Sequence, residues 1–385
     1  MSMPTKFGIY VHWPYCLSKC PYCDFNSHVA KTVDHADWEA AYFKELAYYA
    51  ALTKNKTVTS IFFGGGTPSL MPPQLVEKIL RKISILWHLD DNIEITLEAN
   101  PTSVEASNFE ALSQAGVNRL SLGIQALNDQ DLKKLGRTHS VKEALGAIEL
   151  SQQYFNRASF DLIYARENQT LKDWQSELKE ALKLAQGHLS LYQLTIEPQT
   201  QFYTLHQRGE LILPDQEAAA DMYLCTNEIM LQHGYEAYEV SNYAQKNQAS
   251  VHNLTYWTYQ DYIGIGPGAH GRVMIEGQKM AIQTHRAPQI YLERVKNLTH
   301  FTEKKAVSQK DQAIEWLMMG LRLQEGVDLD HLQKTLNLRE EDFFDLPHYQ
   351  TYLDEAVLKK EKGWLKVNSL EARLVLNHIL SKICM

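Results

Sequence analysis

Residues 7–23 read FGIYVHWPYCLSKCPYC: a β-rich run, Phe7–His12, followed at once by a loop carrying Cys16, Cys20 and Cys23 in C-x3-C-x2-C spacing. Aromatic and β-branched residues in the first half make a strand candidate. The thiols fall within eight residues, so one loop can curl them around one metal centre. Five cysteines is an odd count, which suits metal binding in a reducing compartment better than a disulfide framework. Three thiolates fit an iron–sulfur cube with one iron left unligated. Spacing alone leaves two other readings open. One is a zinc site, which ordinarily takes a fourth Cys or His and for which His28 is available; the other is three buried, unliganded cysteines.

Outward from this loop, to about Thr195, short β-rich runs alternate with stretches whose apolar residues recur at helical spacing. Phe7–His12, Ser60–Phe63, Ile93–Glu98, Arg119–Ile124, Ser159–Ile163 and Leu189–Ile196 are the strands this predicts, with helices such as Trp38–Ala51, Gln74–Trp87 and Leu171–Leu184 between them. The alternation implies parallel strands in an α/β fold, and six units fit a partial (β/α)6 barrel over 1–215. In barrels and open α/β sheets the chemistry sits on loops after the strand carboxyl ends, which is where the motifs fall. From 216 to 305 the pattern changes to a helix ending near Gln232, an aromatic-rich segment Tyr235–Tyr262, a glycine-rich turn Gly264–Gly271 and then mixed helices. Residues 306–385 read as a small helical, winged-helix-like domain, a packing module or a lid, ending in the amphipathic LVLNHILSKI.

The 385 residues are 44% apolar and 22% charged, an ordinary globular composition. A net charge of -8, with the acidic Glu340, Glu341, Asp342 and Asp345, argues against nucleic acid as a partner. No stretch approaches the roughly 18 consecutive apolar residues of a spanning helix, so membrane contact would be peripheral. The opening MSMPTKFGIYVHWPYC lacks the basic, apolar and small-residue pattern of a secretory signal, and a cytoplasmic protein is expected.

Further strand ends carry polar groups. FFGGGTPS puts Gly64, Gly65 and Gly66 after the second strand, where uncovered N–H groups can approach a ligand; the plainer alternative is a tight turn. Glu98 in LEANP, Gln125 in LGIQAL, Arg137 in LGRTH and Asp161 in FDLIYA follow. Singly, each could be a surface or satisfied core group; as a set they converge as a pocket requires.

With these motifs the sequence resembles, over essentially its whole length, the radical SAM superfamily, in the branch of oxygen-independent coproporphyrinogen III oxidase and HemW-type heme chaperones. The resemblance implies a [4Fe-4S] cluster on Cys16, Cys20 and Cys23, whose open iron is chelated by the amino and carboxylate groups of S-adenosylmethionine (SAM). In the family, an electron from the reduced cluster breaks the sulfonium bond to give a 5'-deoxyadenosyl radical. Gly65, Gly66 and Thr67 match the family's methionine-binding clamp. By resemblance Glu98, Gln125, Arg137 and Asp161 line the SAM site, while Tyr10 and Tyr22 flank the cluster. Two departures stand out: Ala165, Arg166 and Glu167 replace the usual Gly-Leu-Pro turn, and Trp13 stands where a smaller aliphatic residue is usual.

The oxidase members carry a further cysteine two residues after the third ligand, where this chain has Phe25. VHNLTYW supplies His252, Asn253, Tyr256 and Trp257, matching the HNxxYW element associated with heme in HemW-like proteins. Imidazole is a good axial ligand and aromatic faces can cover a porphyrin. Read without the family, His252 would be a hydrogen-bonded histidine in an aromatic core. His270, within GIGPGAHG, His12 and His139 are weaker alternative ligands. That glycine-rich run lacks the βαβ unit of a dinucleotide fingerprint and is expected to turn near the pocket. Cys225 reads as a core thiol and Cys384 as incidental. The resemblance thus implies a heme chaperone passing heme to acceptors such as respiratory cytochromes, with the cluster and SAM as a gate and an electron donor if the cluster is reduced. The rivals are oxidative decarboxylation of coproporphyrinogen III and radical chemistry on another substrate.

Overall fold

Parallel strands buried on both faces need near-continuous apolar runs, and six such runs form the centre of this protein. The computed structural model describes residues 6–30 and 32–384; the first five residues of the stretch read for a secretory signal lie outside the described residues. Strands β1 (Phe7–Trp13), β2 (Thr57–Gly65), β3 (His88–Ala99), β4 (Arg119–Gln125), β5 (Arg157–Tyr164) and β6 (Gly187–Gln193) pair parallel in chain order. Helices α1 (His35–Thr53), α2 (Pro73–Leu86), α3 (Val141–Tyr154) and α4 (Leu171–Leu184) carry the chain back between strands. Their starts are set by local chemistry: Ser140 with Glu143, and Thr170 with Asp173, form reciprocal capping boxes. This is the α/β architecture the alternation predicts.

Strand β3 begins five residues before the predicted Ile93 because its polar lead, His88–Leu89, pairs with Thr57–Val58 ahead of a register shift. A larger difference lies after the barrel. Beyond α5 (Gln216–Gln232) come β7 (Glu236–Ala237) and β8 (Asn242–Ala244); β8 pairs antiparallel with β6 on one side and with β7 on the other. Helix α6 (Val251–Trp257) then leads into β9 (Asp261–Ile265), which pairs parallel with β1 on the opposite edge. The expected mixed helices give way to antiparallel strands β10 (His270–Ile275), β11 (Gln278–Thr284) and β12 (Phe301–Ala306), with α7 (Pro288–Val295) between the last two. The signal was local. Glu276 and Gly277 have φ of 49° and 80°, the two left-handed residues of a tight hairpin. The whole is a twelve-stranded sheet.

The carboxyl-terminal segment is not wholly helical. Helices including α8 (Gln309–Gly320), α9 (Leu329–Leu336), α10 (Leu346–Asp354) and α11 (Leu376–Ile383) pack with an antiparallel sheet of Val327–Asp328, Leu358–Glu361 and Trp364–Val367. Leu317, Leu332, Phe343, Phe344, Leu365 and Ile379 form a core of their own there. The short strands escaped notice because each spans at most four residues.

One buried carboxylate holds the extension to the barrel. Glu94 of β3 accepts Arg157 at 2.6 Å, the N–H groups of Val251 and His252 at 3.1 and 2.9 Å, and the Ser250 hydroxyl at 3.2 Å, with Arg119 Nε 3.9 Å away. Despite burial, the two arginines and the donated N–H groups hold its pKa below the usual carboxylate value. It thereby fixes the first turn of α6. Glu94→Ala strands buried donors and is expected to lower the unfolding free energy by about 3–5 kcal/mol in denaturant titrations; a loss under about 1 kcal/mol would count against this account.

Candidate functional site

Two cavities, of 670 and 720 Å³, open side by side at the carboxyl ends of the strands and share Phe25, Glu98, Asp161, Tyr192 and Arg322 as wall. Cys16, Cys20, Cys23 and Tyr22 line the first, opposite Gly65, Gly66 and Thr67, and Glu98, Gln125, Arg137 and Asp161 line it as well. Among the described residues no three Cys, His, Asp or Glu side chains converge closely enough to grip one metal ion. His28, the fourth ligand considered for zinc, turns to Asn26 Oδ1 at 3.3 Å.

The glycines serve a different purpose from the one expected. Their N–H groups are not left open: Gly66 N donates to Trp13 O (2.7 Å), Thr67 N to Tyr15 O (2.9 Å) and Gly65 N to Glu98 Oε2 (3.3 Å). A Cβ on Gly66 would stand 2.7 Å from the Tyr15 carbonyl oxygen, and one on Gly65, at φ +114°, 2.5 Å from the His12 ring. Absent side chains let the backbone of β2 hold the root of the cysteine loop. This is the close approach that makes glycine obligatory here.

Arg137 carries positive charge to the thiols. Its Nη1 donates to Cys20 Sγ at 3.4 Å and its Nη2 to Gly123 O at 2.8 Å and to Asn100 Oδ1, while Asn100 Nδ2 reaches Thr67 Oγ1 at 3.1 Å. Burial pushes the Cys16 and Cys23 thiols up, and a bound metal would favour their thiolates. Glu98 is pushed up to about 8, first by burial and then by Asp161, which burial raises to about 6. Asp161 Oδ1 has no hydrogen-bond partner among the described residues. Two desolvated carboxyls aimed into one cavity suit a ligand that brings hydroxyl or ammonium donors. That donor set, together with three thiols on one loop, fits a cluster carrying SAM.

Tyr10 does not line this cavity. It lies in the second, its hydroxyl 3.0 Å from His12 Nδ1. In the Ala165–Glu167 departure, the buried Arg166 donates to Glu177 (2.6 Å) and Asp131 (2.9 Å), while Ile163 and Tyr164 line the cavity. Trp13 is buried edge-on against Trp38.

His252, Asn253, Tyr256 and Trp257 all line the second cavity. Ser60 Oγ pairs with His252 Nδ1 at 3.0 Å and Phe62 stacks on the ring at 5.1 Å, leaving Nε2 without a partner among the described residues. Burial lowers this imidazole to about 4, so it stays neutral and its free nitrogen can coordinate a metal. Asn253 donates to Tyr238 Oη (3.1 Å), which also meets His188 Nε2 (3.0 Å). Arg322, from the segment after α8, lies 4.8 Å over Trp257. His270 and His12 also line this cavity, whereas His139 is held at Ile124 O (3.2 Å). Cys225 accepts Gln175 Nε2, and Cys384 lies beside Phe344. Sequence reasoning missed Glu94, Asn100, His188 and Arg322, none of which sits in a contiguous motif with its partners.

A strand-end cysteine loop on a parallel partial barrel defines a radical SAM protein, and the superfamily's profile matches residues 10–181, with that of the HemN C-terminal domain matching 307–373. Mitochondrial radical S-adenosyl methionine domain-containing protein 1 of Bos taurus is 40% identical over 86% of this chain and 76% of its own. Heme chaperone HemW of Buchnera aphidicola subsp. Schizaphis graminum is 36% identical over 93% and 92%, and HemW of Escherichia coli K12 37% identical over 83% of each. The coproporphyrinogen III oxidase HemN of Escherichia coli shares the fold, with TM-score 0.82 at 21% identity over 98% of this chain and 89% of that one. The chain belongs to the radical SAM superfamily and, within it, to the HemW family. Membership implies a [4Fe-4S] cluster and SAM.

The raised carboxyls set a pH dependence. A group held near 8 instead of 4.5 favours the folded state while protonated; that advantage is whole below the ordinary value and disappears as pH rises through the folded one. Cofactor-free Glu98→Gln is therefore expected to melt at a higher temperature than wild type at about pH 9, and to bind SAM more weakly by calorimetry. Equal melting temperatures at alkaline pH would remove the buried-carboxyl account.

Proposed function

We propose that this protein is a cytoplasmic heme chaperone that holds heme in the second cavity on His252 and passes it to acceptor hemoproteins such as respiratory cytochromes. The observation that carries the reading is a neutral, buried imidazole. Its Nδ1 is fixed by Ser60 and its ring is backed by Phe62, within a 720 Å³ cavity walled by Tyr256 and Trp257. Relatives named as heme chaperones over most of the chain support it. Among the described residues no helix is long and apolar enough to cross a membrane.

When bound, a reduced cluster supplies one electron to SAM, and an electron donor would be required for that chemistry. The chain's own residues divide the remaining work. Cys16, Cys20 and Cys23 would hold the cluster with Arg137 balancing charge at Cys20; Glu98 and Asp161 would accept donors from SAM; Gly65, Gly66 and Thr67 keep the cysteine loop in place. Phe25, 60% exposed, stands in the shared wall where the oxidase branch has a cysteine, and it offers neither a thiol nor a proton there. The shared wall makes the first cavity a candidate gate for the second.

The test is a heme titration of anaerobically reconstituted protein followed by visible absorption. Wild type is expected to bind saturably and His252→Ala to bind at least about tenfold more weakly with a shifted Soret band. Equal binding moves the ligand elsewhere. No saturable binding, with turnover of coproporphyrinogen III in the presence of SAM and a reductant, would establish the oxidative decarboxylase instead.

A further inference from the structure

We propose that Arg286 is the carboxylate anchor of the second cavity, holding a propionate of the porphyrin; this rests on the heme-chaperone reading above. A heme presents an apolar face to aromatic side chains but carries its two carboxylates on one edge. Near that edge a cation must replace water, and three arginines line the cavity: Arg119, Arg286 and Arg322. The first two candidates to consider are already committed. Arg119 is 3% exposed and lies 3.9 Å from Glu94. Arg322 lies 3.6 Å from Glu239 and covers Trp257. Arg286 makes no ion pair among the described residues and is exposed at the rim.

An exposed arginine is ordinarily a solvated surface group. This one leaves a backbone that is held. Its carbonyl accepts Asn26 Nδ2 at 3.0 Å, and the same amide donates to Pro267 O at 2.8 Å. Its side chain crosses Gly268, where a Cβ would come within 3.4 Å of Arg286 Cγ and 2.6 Å of Asn26 Nδ2. The His285 ring accepts the Ala287 N–H at 3.1 Å and fixes the following turn. The guanidinium is thus presented to the cavity from a fixed root, with two parallel donors that match a carboxylate. Asn26 lies three residues after Cys23, so the anchor hangs from the end of the cysteine loop.

Reconstituted full-length protein would be titrated with hemin and with hemin dimethyl ester, which keeps the iron and the faces but has no free carboxylates. Wild type is expected to prefer hemin by about tenfold, the worth of one charge-assisted contact. Arg286→Ala should lose that preference by weakening hemin alone, and Arg286→Lys should keep part of it, with melting temperatures unchanged because the side chain is exposed. Retention of the full preference by Arg286→Ala, or its absence in wild type that binds both compounds, overturns the anchor and leaves the chaperone reading standing. Failure of wild type to bind either compound overturns both.

Discussion

Two backbone hydrogen bonds, from Gly66 N to Trp13 O and from Thr67 N to Tyr15 O, set the position on which the rest of this structure depends. They join the ends of adjacent parallel strands with no side chain between them. Because β1 and β2 are also paired along Gly8–Trp13, the root of the cysteine loop is fixed from one side by the sheet and from the other by the glycine turn. Cys16, immediately past Tyr15, therefore emerges in a defined place, and the later strand ends need only bring one polar group each.

The electrostatics around that loop follow from burial. Glu98 and Asp161 are raised toward neutrality, whereas His12 and His252 are both lowered to about 4. Burial shifts each group toward its uncharged form, the carboxyls upward and the imidazoles downward from their ordinary values. The consequence is that burial lessens the charge these four groups add to the cavity walls. The carboxyls suit a ligand that brings hydroxyl or ammonium donors, and the neutral His252 imidazole suits a metal.

The second cavity is assembled from distant parts of the chain. Phe62 and Tyr10 come from β2 and β1, His188 from β6, the HNxxYW helix from the extension, and Arg322 from beyond α8. Glu94 makes this assembly possible, since its carboxylate accepts the N–H groups that open α6 and thereby aims His252 back over the barrel. Asn26 does the same for the opposite rim by clasping the backbone of Pro267 and Arg286.

The sequence by itself determined the alternation of strands and helices, the cysteine spacing and the placing of Glu98, Gln125 and Asp161 on strands; Arg137, expected at a strand end, follows the short helix Asp129–Lys134. Those are properties of contiguous residues and of a periodicity that a parallel sheet enforces. Only the tertiary structure decided that the glycine N–H groups serve the loop instead of a ligand, that Tyr10 belongs to the second cavity, and that residues 270–306 are mostly strand. It also decided which of three arginines has no ion pair among the described residues. Most of these depend on contacts far apart in sequence, such as Gly66 with Trp13 or Asn26 with Arg286, which leave no local pattern to read; the strands of 270–306 pair over short separations, and there a local hairpin signal went unread.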